Sequence, residues 1–162
     1  MNDLFAPPGN EWRPVSPQLG RMRRTVLAVL VAVAVVVSLT AGLVLGLLGW
    51  FGTLAALWLV LGAAGWVVIG RNARSWGYAE RDEDLFIKHG ALFRELIAVP
   101  YGRMQFVDIT SGPVEQLYGV ATVHLHTASA SSNARIPGLP AAEAARLRDQ
   151  LTQLGEAQAA GL

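Results

Sequence analysis

From Thr25 to Gly70 the chain carries no Asp, Glu, Lys, Arg or His, whereas polar and apolar positions interleave on both sides of that run. An uncharged stretch of this length is too long for one helix across a hydrocarbon core of ~30 Å and suits two helices of ~20 residues. The pattern predicts a transmembrane hairpin, with spans at about Thr25 to Leu47 and Trp50 to Ile69. Gly49 and Gly52 are expected to permit the reversal, and Trp50 and Phe51 to sit at the outer interface. A basic stretch before an apolar run also imitates a signal peptide. That reading fails because the run exceeds the roughly 7 to 15 residues of a signal core, no A-x-A site ends it, and a second span follows directly.

After the hairpin the period changes. Tyr78 to Thr127 reads as short strands bounded by turn residues. Leu85 to Lys88 and Leu92 to Val99 flank His89-Gly90, which predicts a β-hairpin there. Pro100-Tyr101-Gly102 turns the chain into a strand over Met104 to Ile109, and Thr110-Ser111-Gly112-Pro113 turns it again. Val120 to Thr127 alternates strictly, with Val120, Thr122, His124 and His126 on one face and Ala121, Val123, Leu125 and Thr127 on the other. That is the pattern of a half-buried strand. Ser129 to Asn133 reads as polar loop and Ala134 to Ile136 as a last short strand. Pro140 suits the first turn of a helix, Glu143 complements its dipole, and Ala144, Leu147, Leu151 and Leu154 form an apolar stripe closed by Gly155. The expected architecture is a membrane-anchored α+β protein. Its parts are a mobile tail over residues 1–20, the hairpin within residues 21–71, a β domain with one covering helix over residues 78–154, and a tail from 155 to 162. Pro7, Pro8, Pro14 and Pro17 underlie the first tail, and Asn72 to Gly77 are expected to be a short linker.

Charge fixes the orientation expected of the hairpin. Arg21, Arg23 and Arg24 precede the first span, Arg71 and Arg74 follow the second, and the turn between them is uncharged. The positive-inside rule then places both termini in the cytoplasm and the protein in the cytoplasmic membrane. Overall the chain has 52% hydrophobic and 15% charged residues with a formal net charge of +1, so global charge gives no support to a nucleic-acid partner. The absence of cysteine excludes disulfides, thiolate metal sites and Cys nucleophiles.

Within the first span Ala34, Ser38, Gly42 and Gly46 recur every four residues and line small side chains along one face, including a GxxxG match at Gly42 and Gly46. Such a stripe lets helices approach closely. It can pack against Gly62, Ala63 and Gly65 of the second span, or form a homodimer seam or a docking face for another membrane protein. No ionisable residue lies in either span, which argues against a proton or ion pathway. His124 and His126 share a strand face with a spacing that could supply two metal ligands, with His89, Asp108 and Glu115 to complete a site. A water-facing polar strand explains the pair equally well, and no metal or other cofactor is expected. No nucleophile elbow, P-loop or G-x-G-x-x-G occurs, so no catalytic residues are assigned.

The order of these marks resembles the bacterial pleckstrin-homology-like, membrane-flanked domain family, in its small YdbS-like form with two spans before one domain. The residues that carry the resemblance are the two-span hairpin, the turn at Gly90, Val99-Pro100 followed by Arg103, Gln105 and Val107, then Gly112-Pro113, Gly119-Val120 and Leu125-His126-Thr127-Ala128. It extends over about Arg21 to Leu154. This chain departs in having Glu115-Gln116-Leu117 where such proteins often have an arginine. The resemblance implies a bent sheet or barrel of about seven strands capped by a C-terminal helix, and an interaction role without catalysis. Eukaryotic pleckstrin-homology domains often hold inositol phosphates with Lys and Arg after the first strand. Here Glu80-Arg81-Asp82-Glu83-Asp84 is net acidic and would repel phosphate. The expected function is a non-enzymatic membrane-anchored adaptor. Its expected partner is another membrane protein, such as a larger member carrying several copies of the domain, with a homo-oligomer as a further candidate. The alternative is anionic-lipid binding or sensing, with Arg94, Arg103 and Arg135 as the candidate contacts.

Overall fold

The computed structural model describes residues 11–91, 93–127 and 134–159. The loop expected over Ser129 to Asn133, the first residue of the strand expected from Leu92, and the extreme ends of both tails lie outside these residues. The chain divides into two compact units, Gly20–Arg71 and the flanks on either side of it.

The first unit is built from α1 (Pro17–Val44) and α2 (Leu48–Ser75), whose outer turns belong to the second unit. Each helix has 28 residues, about 42 Å of rise, which exceeds the hydrocarbon thickness. Both run beyond the spans expected from hydropathy, because hydropathy marks only the lipid-buried part of a helix. The real start of α1 is set by Ser16, whose Oγ accepts the Gln18 N–H at 3.2 Å, with Pro17 in the first helical position. Its end is a glycine cap. Gly46 takes φ +69°, the Leu47 N–H bonds Gly42 O at 2.9 Å, and the Gly46 N–H bonds Leu43 O at 3.4 Å. The reversal therefore uses Gly46, and Gly49 and Gly52, expected at the turn, lie inside α2.

Close packing in this unit is of large on small. A Cβ placed on Gly62 would lie 2.9 Å from Val31 Cγ2, one on Gly65 would lie 3.1 Å from Leu27 Cδ2, and one on Gly42 would lie 2.7 Å from Phe51 Cβ. Ser38 and Thr40 return their hydroxyls to Ala34 O (2.7 Å) and Val36 O (2.9 Å), so neither polar group is presented bare to lipid.

In the second unit, seven described strands form two antiparallel sheets. The first has order β1-β2-β3-β4: β1 (Arg13–Pro14), β2 (Gly77–Glu80), β3 (Asp84–His89) and β4 (Glu95–Pro100). The second has order β5-β6-β7: β5 (Met104–Thr110), β6 (Val120–Thr127) and β7 (Ala134–Pro140). A single 3-10 turn at Tyr101–Arg103 links the sheets, and α4 (Ala141–Ala159) packs on β5, β6, β7 and that turn. Leu85 and Ile87 of one sheet, Val123, Leu125 and Ile136 of the other, and Ala144 and Leu147 of α4 are wholly buried. This is the α+β domain with a terminal helix that the alternation predicts.

Four differences are informative. First, residues 11–20 are not simply a tail. Arg13 and Pro14 pair with Tyr78 and Gly77, Val15 and Leu19 are buried, and the Ser16 N–H bonds Gly138 O at 3.0 Å. This strap thus joins both sheets. Leu19 fits because Gly138 has no side chain; a Cβ there would lie 2.5 Å from Leu19 Cβ. Second, the linker shrinks to Trp76, since Asn72 to Ser75 continue α2. Third, α3 (Pro113–Leu117) stands where a plain turn was expected. Pro113 opens it, and Glu115 Oε2 accepts the Gly112 N–H at 2.9 Å. Fourth, α4 passes through Gly155 to Ala159 rather than stopping there, as the shared helical backbone of residues 141–159 shows.

Candidate interaction site

The strap, β2 and α4 are joined by one charged network. The Arg146 guanidinium donates to Glu80 Oε1 at 2.6 Å and to Glu143 Oε1 at 2.7 Å, and it also meets Gln150. Tyr78 donates its hydroxyl to Glu143 Oε1 at 2.6 Å, and Arg13 lies 3.5 Å from Glu80 and 3.6 Å from Glu143. The Arg146 bonds hold the Glu143 carboxyl down to about 2, and burial pushes the Tyr78 phenol up to about 12. Every charge here has an opposite charge within reach, and the network is a clamp rather than a reactive centre.

The outward face of the second sheet is different. Parity on β5 and β6 turns Val107, Ile109, Val123 and Leu125 inward, leaving Phe106, Asp108 and Thr110 beside His126, His124 and Thr122 on the other face. Phe106 is 53% exposed and stacks on the His126 ring at 4.2 Å. His126 Nε2 lies 3.5 Å from Asp108 Oδ2, His124 Nε2 lies 3.0 Å from Thr110 Oγ1, and Arg135 of β7 pairs with His124. An aromatic ring, two imidazoles, a carboxylate and a guanidinium thus share a sheet face, one end of which, at Thr122, is buried under Glu115 of α3. Further exposed apolar side chains are Leu117 at the end of α3 (84%) and Phe93 in the β3–β4 connection (90%).

The metal set considered from sequence is not assembled. His89 belongs to the first sheet, stacked on Trp76 at 4.5 Å and 3.4 Å from Glu95, while Glu115 is bonded to Thr122 and Gly112. Among the described residues no three His, Asp or Glu side chains come together to hold an ion.

The three arginines considered for lipid do not form one patch. Arg94 precedes β4 and Arg103 follows it, so about 20 Å of strand separates them, and Arg135 lies on the other sheet. The small-residue stripe is likewise split. Ser38 and Gly42 are buried, Gly42 by Phe51 of the same chain, whereas Gly46 lies beyond α1 in the turn with nothing within 4 Å of a Cβ. A four-residue repeat through Gly46 assumed a helix that the glycine cap ends.

Sequence reasoning singled out His124 and His126 but missed Phe106 beside them, and it missed the Tyr78–Glu143–Arg146 clamp altogether. For Phe106 the signal was present: it occupies the same parity as Asp108 in a strand whose alternate positions are Val107 and Ile109. The clamp joins residues about 65 positions apart and has no local signature.

Residues 18–155 match the family described as "Bacterial PH domain". The chain is also 36% identical over 105 residues to the UPF0699 transmembrane protein YdbS of Bacillus subtilis (strain 168). That match covers 64% of this chain and 64% of the relative, so just under two thirds of the relative's length is represented. Neither description names an enzyme. No solved structure matches. With a transmembrane relative and two helices long and apolar enough to span a bilayer, the chain is a membrane protein.

Proposed function

We infer that this chain, which belongs to the bacterial PH domain family, is a non-enzymatic adaptor that holds its domain at the membrane surface to engage another membrane protein. The observation that carries this reading is the exposure of Phe106 and Arg135 on the outward face of the second sheet. Exposed aromatic and guanidinium groups together on a rigid sheet are the chemistry that protein interfaces concentrate at their centres. The titratable groups nearest the strap and α4 are paired with one another and leave no poised acid, base or nucleophile there. A larger family member carrying several such domains is one partner that fits, and a second copy of this chain is another. The basic residues Arg21, Arg24, Arg71 and Arg74 around the hairpin favour the cytoplasmic membrane with both termini inside. Pairing of Arg13–Pro14 with Gly77–Tyr78 supports the part of that topology in which both flanks share one side.

The test is retention of partners from native membranes in mild detergent. Phe106→Asp and Arg135→Glu should each lower recovery of a specific membrane protein about tenfold, as loss of a hot-spot residue does, while the domain keeps its melting temperature. The same proteins recovered in the same amount with both variants would overturn this surface as the contact. Recovery unchanged on removal of everything after Gly77 would overturn the adaptor reading.

A further inference from the structure

The β3–β4 connection carries a second feature that the adaptor reading does not use. Its tip exposes Phe93 to 90%, more than any other large apolar side chain among the described residues. The conformation that presents it is fixed by Gly90, which has φ +101° and whose missing Cβ would collide with the Phe93 carbonyl. No side chain but hydrogen is accommodated there, so the turn holds Phe93 outward by construction.

The same turn is tied to the end of the second span. The Gly90 N–H donates to Ser75 Oγ at 3.0 Å, and Ser75 is the last residue of α2. The His89 ring stacks on Trp76, the single residue between α2 and β2, at 4.5 Å and 20°. Ser75 is only five residues past Gly70, the end of the uncharged run, so chain length alone keeps it within roughly 18 Å of that run. Phe93 is three residues from Gly90. Residues 71–95 carry five basic and five acidic side chains, and Lys88 lies over the Trp12 ring at 4.1 Å, so the apolar ring of Phe93 rather than net charge distinguishes the tip.

We propose that the β3–β4 tip is a further membrane contact, with Phe93 seated in the lipid interface. The partner is the bilayer surface itself. A large apolar ring gains by leaving water. The contact adds a third point of attachment to the two the domain already has through α1 and α2. It does not depend on any protein partner, so its failure and that of the adaptor reading are separable.

The chain has no cysteine, so a single introduced thiol gives an unambiguous label site. Full-length protein is placed in vesicles of phosphatidylcholine and phosphatidylglycerol with a nitroxide at Ala91→Cys, leaving Phe93 in place, and in parallel at Leu117→Cys. Collision rates are measured with oxygen, which concentrates in lipid, and with a water-soluble nickel chelate. The label at 91 should favour oxygen and the label at 117 should favour nickel. Adding Phe93→Asp to the first variant should shift its inserted population about tenfold toward water without changing the label at 117. Labels at 91 and 117 that are equally accessible to nickel, or a label at 91 that is indifferent to Phe93→Asp, would overturn the proposal.

Discussion

The hairpin and the domain place the same residue types in opposite positions. In the hairpin Val29, Leu30, Val33 and Val36 are more than half exposed, and glycines 42, 62 and 65 are where Phe51, Val31 and Leu27 come closest. In the domain Leu85, Ile87, Leu125 and Leu147 are wholly buried, and glycines 90, 119 and 138 mark backbone with positive φ. Lipid explains the inversion. Where the solvent is itself apolar, burying leucine gains little and shape at small residues sets the packing. Where the solvent is water, area removed from it dominates. Close approach between the two spans therefore occurs at glycine, whereas in the domain the large side chains do the packing and glycine mostly serves turns, with Gly138 doing both.

Substitutions can separate these two regimes. The largest effect is expected in the aqueous core: Leu147→Ala removes a wholly buried side chain where α4 meets the sheets and should cost about 3 kcal/mol, read as a lowered unfolding midpoint of the full chain in detergent. Gly42→Leu forces a side chain onto Phe51 and should cost about 2 kcal/mol of overpacking. The helices should move apart by spin-label distance while helical circular dichroism stays constant, because each span satisfies its own backbone. An unchanged distance would show that Gly42 is not a packing position. Ser16→Ala removes the cap of α1 and should cost about 1 kcal/mol. Its site lies in the strap, so the loss should appear in the domain's unfolding.

The smallest effect concerns Glu143. Its carboxyl titrates at about 2 in the folded domain against an ordinary value of 4.5. Being depressed, it stabilises fully above pH 4.5, and that contribution is lost as pH falls from 4.5 toward 2. Glu143→Gln should flatten the acid loss in that window and, since the group is partly solvated, cost less than about 1 kcal/mol at neutral pH. An acid profile identical to the unsubstituted protein would detach Glu143 from the clamp.

The hairpin and most strands were legible because their periods are local. Thr25 to Gly70 announces lipid by missing charge, and Val120 to Thr127 announces a sheet face by strict alternation. The helix ends were less legible, since hydropathy stops at the lipid boundary while Ser16-Pro17 and Ser75 set the true limits. The strap was hidden in a proline-rich segment. Its order comes from Gly138 and Tyr78, more than 60 residues away, and nothing in residues 11–16 reports them. Phe93 was read only as part of a strand, because exposure is a property of the folded turn at Gly90.

The strap also has a consequence for how the protein is made. The strand Arg13–Pro14 is synthesised before the first span and its partner Gly77–Tyr78 after the second. The first sheet can gain its outer strand only after both spans have been threaded and the two flanks have come to lie in the same compartment. A molecule inserted with one span missing would display an unpaired strand edge at β2 and an empty seat for Leu19 at Gly138. Completion of the sheet thus depends on both spans being in place.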